Sequence, residues 1–229
     1  MDELKEKVAQ CCRLFCMMDL IAASGHVSAR IPGTDRILIH PRHVSRLEVE
    51  PRHIVTVDLN GQVIEGSEEP PSETPLHICV YLAREDVLSV AHLHSYYSTL
   101  FSMVERKLLP VSFQGAIFAA KGVPVYPRSE RITTMELGKE VAKVLGGAQA
   151  ALLKGHGSVV VASGVEAVFL ASLALEENAR YQFDAIRLGE PQVLDEIDIK
   201  RTLELQLTER FTRKVWTYYL SLARRKGIL

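Results

Sequence analysis

Three histidines and one glutamate have the types and spacing of residues that bind a metal ion. His92 and His94 lie two residues apart near the end of the apolar run 87–94, which predicts a buried strand. Because side chains alternate along a strand, both imidazoles would point to the same face. His156 lies between two glycines at the junction of two apolar runs, where the backbone can approach a site closely. Glu73 lies at a predicted helix start, where a carboxylate is stabilised as the anion and can face a cation.

Two interpretations of these residues compete. Three imidazoles and one carboxylate form a ligand set that is typical of zinc, with manganese and cobalt as alternatives. The competing interpretation is that a pair such as His92 and His94 is satisfied by backbone carbonyl groups. Burying two imidazoles in an apolar strand is costly unless they are coordinated or hydrogen-bonded, which favours the metal. The spacing alone does not show that Glu73 and His156 reach the same point.

Hydrophobic periodicity and turn residues predict the elements that must position this set. In chain order they are a helix over 4–22, strands over 27–31, 36–39, 54–59 and 62–64, a helix that Ser72 caps and Glu73 begins, strands over 87–94, 150–154 and 158–162, a helix over 163–188, and a last helix over 197–226. Asn60-Gly61 predicts a tight two-residue turn, and Ser163 with Glu166 predicts a capping box. Strands and helices do not alternate regularly, so we predict one α/β domain in which helices cover a sheet of mixed or antiparallel strands.

The composition limits the classes of partner. The chain has 229 residues, 47% of them hydrophobic and 24% charged, with a net charge of −1. This balance gives no overall field that would recruit nucleic acid or anionic lipid. No apolar run approaches the length of a membrane span, and the first residues lack a secretion signal, so we predict a cytoplasmic protein. The four cysteines do not form a disulfide or zinc-ribbon pattern, and we interpret them as reduced core thiols.

Several motifs, taken in order, resemble those of the class II aldolase/adducin family. They are Ser24-Gly25-x-x-Ser28, Pro71-Ser72-Glu73-x-x-x-His77, His92-x-His94-Ser95, Gly155-His156-Gly157, and Glu176-Glu177 in the long helix. The resemblance covers residues from about 5 to 190, and the order and spacing of the motifs make it specific.

The resemblance implies a fold and a set of roles. The family includes fuculose-phosphate aldolase, ribulose-phosphate 4-epimerase and metal-dependent decarboxylases. It implies a three-layer α/β/α sandwich around a mainly antiparallel sheet, here a single domain over 1–229 with a helical tail from about 197. It also implies a homotetramer. By family analogy His92, His94 and His156 bind one divalent metal per chain, zinc or manganese, and Glu73 is a further ligand or the acid/base beside it.

The loops that hold phosphate in the sugar-phosphate members of the family differ in this chain. There they resemble Ser-Gly-Asn and Thr-Pro-Ser-Gly, whereas this chain has Ser24-Gly25-His26 and His40-Pro41-Arg42-His43. Imidazole and guanidinium groups favour a planar carboxylate that arginine pairs in a bidentate manner. We therefore predict a small anionic substrate bound by His26, Ser28, Arg42, His43 and Ser72. For Ser72, a plain helix cap is the competing interpretation.

These observations predict a divalent-metal-dependent carbon–carbon lyase. We favour decarboxylation of a hydroxylated carboxylate, with aromatic acids among the candidates, through a metal-stabilised enolate or phenolate, with Glu73 as the acid/base. The alternative is an aldolase that cleaves a sugar phosphate or a deoxysugar. A third hypothesis is a non-catalytic scaffold similar to the head of adducin, which the retained His92, His94, His156 and Glu73 argue against.

Overall fold

An eight-stranded sheet forms the centre of the molecule. The structure is a computed structural model that describes residues 1–118, 122–206 and 208–229. In chain order the strands are β1 (His26–Arg30), β2 (Arg36–Ile39), β3 (Val55–Asp58), β4 (Val63–Glu65), β5 (Ser89–Leu93), β6 (Val125–Tyr126), β7 (Ala150–Leu153) and β8 (Gly157–Ala162). Their order in the sheet is β4-β3-β2-β1-β5-β8-β7-β6. All neighbours are antiparallel except β6 and β7, which are parallel.

Helices cover both faces of the sheet. They are α1 (Asp2–Met17), α2 (Thr74–Ala83), α3 (Tyr96–Phe101), α4 (Met135–Leu145), α5 (Val165–Ile186), α6 (Glu196–Gln206) and α7 (Glu209–Arg225), with short 3-10 turns at Pro51–His53 and Gln114–Ile117. One apolar core lies between the sheet and α2 with α4. The other lies between the opposite sheet face and α1, α3, α5 and α7. The predicted three-layer α/β/α sandwich with a mainly antiparallel sheet is confirmed.

The first helix ends earlier than its apolar periodicity predicts. It ends at Met17 instead of continuing to residue 22. Asp19 adopts a left-handed conformation, with φ of 56°. The amide of Leu20 then donates to the carbonyl of Phe15 and that of Asp19 to Cys16, which is the Schellman arrangement that ends many helices. Leu20 stays in the core after this turn, which explains why the apolar pattern continued beyond the helix.

The second hairpin has a three-residue connection where we predicted a two-residue turn. The amide of Asp58 donates to the carbonyl of Gln62, and Gly61 has φ of 89°. The Asp58 carboxylate accepts the amides of Asn60 and Gln62 at 2.9 and 2.8 Å. A turn followed by one left-handed glycine is a common hairpin loop of this length, and the Asp58 side chain stabilises it.

The C-terminal third differs from prediction at two helix ends. Gly164, not Ser163, precedes α5 as its cap, and Glu166 pairs with Lys7 at 3.3 Å instead of closing a capping box. Where we predicted one last helix, the structure has α6 and α7, and the Thr208 side chain caps α7 by accepting the amide of Phe211. The predicted helix also included residue 207, which lies outside the described residues. Within the described part of the chain, no helix has both the length and the apolar character to cross a membrane.

Candidate active site

The three predicted metal-binding histidines meet at one end of β5 and β8. One ring nitrogen from each of His92, His94 and His156 lies within 4.8 Å of the others. His92 is the fourth residue of β5, His94 follows its last residue, and His156 lies in the tight connection between β7 and β8. Since β5 and β8 are paired neighbours, the sheet itself brings these residues together from sites more than 60 positions apart.

Glycine next to His156 permits this approach. A Cβ atom on Gly157 would lie 2.1 Å from the carbonyl oxygen of Leu93 and 3.1 Å from the ring of His94. Any side chain there would push the β7–β8 connection away from β5. Position 157 therefore requires glycine for steric reasons.

The donor set fits a divalent cation. His92 directs Nδ1 to the carbonyl oxygen of Ser158 at 3.0 Å, which leaves Nε2 with its lone pair toward His94. This is the usual way in which a ligating histidine is oriented. The buried Nδ1 of His156 has no hydrogen-bond partner among the described residues. Burial lowers the pKa of His92 and of His94, so both imidazoles are held in the neutral form that binds metals.

Glu73 completes the cluster from the α2 side. It immediately precedes α2 and is only 7% exposed. Its Oε1 accepts the amide of Ile132 at 2.9 Å and lies 3.7 Å from His156 Nε2. Its Oε2 lies 3.6 Å from His26 Nε2 and 3.8 Å from His92 Nε2. A second group of potential ligands thus consists of His26, Glu73 and His92.

The Glu73 carboxylate is stabilised as the anion in spite of its burial. Burial alone raises its pKa, but His92, the amide of Ile132 and the other nearby histidines outweigh this effect. The net pKa lies below the ordinary value. Glu73 is therefore ionised at neutral pH and can accept a proton or contribute an oxygen ligand.

A line of buried polar groups connects α2 to β1 behind Glu73. Along α2 the polar residues are four apart, and along β1 they are two apart, so both sets face each other across the layer. The set consists of Glu73, His77 and Tyr81 on the helix side, and His26, Ser28 and Arg30 on the strand side. We call this set the polar zipper.

The contacts in the middle of the polar zipper are short. His77 Nε2 lies 2.7 Å from His26 Nδ1, and His77 Nδ1 lies 2.7 Å from Ser28 Oγ. Ser28 Oγ also lies 2.8 Å from Tyr81 OH. Arg30 donates to the Tyr81 carbonyl and lies over its ring. His77 and Tyr81 have no predicted role in the sequence analysis, although Glu73, His77 and Tyr81 recur every four residues as a polar stripe on an apolar helix.

The predicted substrate-binding residues divide into separate places. His26 and Ser28 are buried in the polar zipper, where protein groups face both ring nitrogens of His26 and the Ser28 hydroxyl. Their geometry supports positioning of Glu73 and does not support the predicted contact with substrate. The reason is their direction on β1: they face α2 and not the solvent side of the cluster.

Arg42 and His43 lie on an exposed loop instead of at the metal-binding cluster. Arg42 Nη1 lies 3.8 Å and His43 Nε2 3.4 Å from the same oxygen, Oε2 of Glu69. This acidic partner neutralises the basic loop that we predicted to bind substrate. Ser72 does not cap α2; its hydroxyl accepts a hydrogen bond from Arg131 Nη2 at 2.5 Å. Arg131 has no predicted role in the sequence analysis, since no short motif marks it.

Comparison with known proteins agrees with this arrangement. The model of the family "Class II Aldolase and Adducin N-terminal domain" matches residues 6–183. The chain belongs to the class II aldolase and adducin family. A 3,4-dihydroxyphthalate decarboxylase of Rhodococcus jostii is 31% identical over 80% of each chain. A 5-deoxy-D-ribulose 1-phosphate aldolase of Bacillus thuringiensis is 29% identical over 72% of this chain and 76% of the relative.

The fold of this class II aldolase family member also matches solved structures. An L-fuculose 1-phosphate aldolase superposes with a TM-score of 0.81 at 26% identity, over 89% of this chain and 96% of that one. The relatives are named as aldolases and decarboxylases, and the chain is an enzyme of the lyase class. Enzymes of this family use a divalent metal, and the histidine and glutamate cluster is a suitable site for one.

Proposed function

We propose that this chain is a divalent-metal-dependent lyase that decarboxylates a hydroxylated aromatic carboxylate. The observation that carries the proposal is the convergence of His92, His94 and His156, with one ring nitrogen from each within 4.8 Å of the others, beside the carboxylate of Glu73. Three imidazole ligands leave coordination positions for substrate oxygens, as catalytic metal sites require.

A divalent zinc or manganese ion held by these histidines would stabilise the negative charge that develops on substrate oxygens when the carbon–carbon bond breaks. Glu73 has the complementary task of moving a proton. Ionised at neutral pH, it accepts the proton of a substrate hydroxyl through a carboxylate oxygen. It then returns a proton to the carbon that has lost carbon dioxide. The amide of Ile132 holds Oε1 during this exchange, and His26 Nε2 lies 3.6 Å from Oε2.

Two observations support decarboxylation over aldol cleavage. One is the 31% identical relative named as a 3,4-dihydroxyphthalate decarboxylase. The other is the state of the loops that hold phosphate in the family's sugar-phosphate members. His26 directs both ring nitrogens to protein groups, and Arg42 and His43 face Glu69, so these donors are not free for a phosphate group, nor for the carboxylate that the sequence predicted them to bind. The second candidate is a sugar-phosphate aldolase, which the 29% identical relative and the matched L-fuculose 1-phosphate aldolase structure favour.

The direct test compares carbon dioxide release from 3,4-dihydroxyphthalate with cleavage of 5-deoxyribulose 1-phosphate and L-fuculose 1-phosphate by metal-loaded protein. We expect carbon dioxide release from the first and no cleavage of the sugar phosphates. The reverse result would replace decarboxylation with the aldolase. Absence of both reactions in a protein that retains no metal after reconstitution would favour the scaffold hypothesis.

A second test concerns the proton transfer by Glu73. We expect Glu73→Gln to fold, to keep its metal and to lose about 10²- to 10⁴-fold in turnover, the usual contribution of a general acid or base. Glu69→Gln is the matched control, because it changes an exposed carboxylate four residues away that faces Arg42 and His43. Equal turnover in both variants would remove Glu73 from the acid/base role.

A further inference from the structure

Two arginines in the segment before α4 have different surroundings. Arg128 Nη1 lies 3.7 Å from Glu130 Oε1 and 3.4 Å from Glu140 Oε2, so its charge is paired. Arg131 is exposed, and the described residues give it no carboxylate partner. Its Nη2 donates instead to the hydroxyl of Ser72. An arginine that is held in place by a neutral partner keeps its charge available for an anion.

The position of Arg131 connects it to the candidate active site. The next residue, Ile132, is fully buried and donates its amide to Glu73 Oε1 at 2.9 Å. The partner of Arg131, Ser72, directly precedes Glu73. Two independent connections, one through the backbone amide of Ile132 and one through the Arg131 side chain, therefore join this segment to Glu73 and to the residue before it.

We propose that Arg131 and Ser72 bind a carboxylate of the substrate that does not react. The inference rests on the proposed decarboxylation, and it specifies the substrate class as a dihydroxylated aromatic acid with a second carboxylate. The planar guanidinium has N–H groups left for two carboxylate oxygens. The Ser72 hydroxyl accepts from Arg131 and keeps its own proton to donate to the same ligand.

The reaction itself creates a need for such a site. When one carboxylate leaves as carbon dioxide, the electron pair of the broken bond stays on the ring carbon, which then takes a proton. A neighbouring carboxylate on the same ring is unchanged in this step. Holding that group orients the bond that breaks without taking part in the chemistry. For 3,4-dihydroxyphthalate, loss of the carboxylate next to a hydroxyl leaves 3,4-dihydroxybenzoate, which still carries the held carboxylate.

The test uses 3,4-dihydroxybenzoate and catechol, which share the two hydroxyls and differ only in the carboxylate. Binding of each to zinc-loaded protein is measured by calorimetry for the wild type, Arg131→Gln, Arg131→Lys and Arg128→Gln. We expect the wild type to prefer 3,4-dihydroxybenzoate, and Arg131→Gln to weaken its binding by about 10- to 100-fold, as expected for a charge-assisted contact. Catechol binding should stay unchanged. Arg131→Lys should recover part of the loss, and Arg128→Gln should behave as the wild type.

Metal content and the thermal midpoint are measured for each variant, so that a folding defect is recognised. The proposal is overturned if the wild type binds both ligands equally, or if Arg131→Gln keeps the preference for the carboxylate. This binding comparison is independent of turnover. A protein that releases no carbon dioxide from 3,4-dihydroxyphthalate, yet loses its carboxylate preference in Arg131→Gln, would refute the proposed reaction and keep the binding site.

Discussion

The inner wall and the outer rim of the candidate active site are built in different ways. The inner wall is the polar zipper between α2 and β1, in which buried groups such as His77 and Ser28 face protein partners on both sides. The outer rim consists of Ser72, Arg131 and the loop with Arg42 and His43, which are partly or fully exposed. The wall holds its groups in one arrangement, whereas in the rim Arg42 and His43 face Glu69 and Arg131 keeps its charge for a ligand.

The difference follows from the cost of desolvation. A buried polar group without a partner costs about 1–3 kcal/mol, and the side chains of His77 and Ser28 in the wall have protein partners, whereas Arg30 Nε has none among the described residues. An exposed arginine keeps its hydrating water, so leaving its charge without a protein partner costs little free energy. Residues that hold the catalytic side chains in place therefore belong to the wall, and residues that select the substrate belong to the rim. The predictions below test this division.

The largest effect is expected where the wall meets the metal cluster. His92→Ala removes one of three imidazoles that converge within 4.8 Å, and we expect loss of bound zinc or manganese and of turnover. Metal content by mass spectrometry and the rate of carbon dioxide release measure both. His53→Ala is the control, since this histidine lies in the 3-10 turn at Pro51–His53 and contacts Glu50 and Arg52. Full activity of metal-free His92→Ala protein would refute the metal mechanism.

Acid should destabilise the fold through His40, a buried histidine whose ring centroid lies 6.3 Å from that of His26 in the wall. Burial, with the nearby charge of Arg46, lowers the pKa of His40 from 6.5 to about 4 in the folded protein. Protonation therefore favours the unfolded chain, so the stability from neutral His40 is complete above pH 6.5 and is lost as pH falls toward 4. The difference between the pKa values of His40 in the unfolded and folded protein corresponds to about 3 kcal/mol of the free energy of unfolding. Urea unfolding of metal-free protein at several pH values measures this loss.

His40→Gln cannot gain the proton and should show a smaller loss of stability between pH 6.5 and 4. His43→Gln changes an exposed rim histidine and should keep the pH dependence of the wild type. If His40→Gln also keeps that dependence, the burial of His40 does not contribute to acid unfolding.

Removing one hydroxyl from the middle of the wall should cost less than removing a metal ligand. Ser28→Ala leaves His77 Nδ1 and Tyr81 OH without their shared partner, and we expect the free energy of unfolding to fall by about 1–3 kcal/mol. Ser221→Ala is the control, because its hydroxyl donates to Thr217 on an exposed part of α7; a change within about 0.5 kcal/mol is typical of such sites. Equal stability of the two variants would show that the polar zipper does not act as one unit.

The sequence predicted the metal cluster better than either the wall or the rim, and the reason is physical. The strand alternation of His92 and the glycines around His156 are local signals, and the sheet brought these residues together as expected. The contacts of Arg131 with Ser72 and of Arg42 with Glu69 join loops, where no periodicity predicts which side chains meet. The end of α1 differs from prediction because left-handed Asp19 outweighs the apolar pattern, and the predicted Ser163–Glu166 capping box is absent, with Glu166 paired with Lys7.

The smallest effect is expected at Arg42, and it separates the two parts of the rim. Arg42 is about half exposed and lies 3.8 Å from Glu69, and an exposed ion pair of this kind contributes at most about 1 kcal/mol. Since Glu69 already neutralises it, Arg42→Gln should change 3,4-dihydroxybenzoate binding less than twofold, while Arg131→Gln weakens it strongly. Calorimetry on the two variants, both loaded with zinc, makes the comparison. A larger loss in Arg42→Gln than in Arg131→Gln would place carboxylate binding on the 40–43 loop, as the sequence alone predicted.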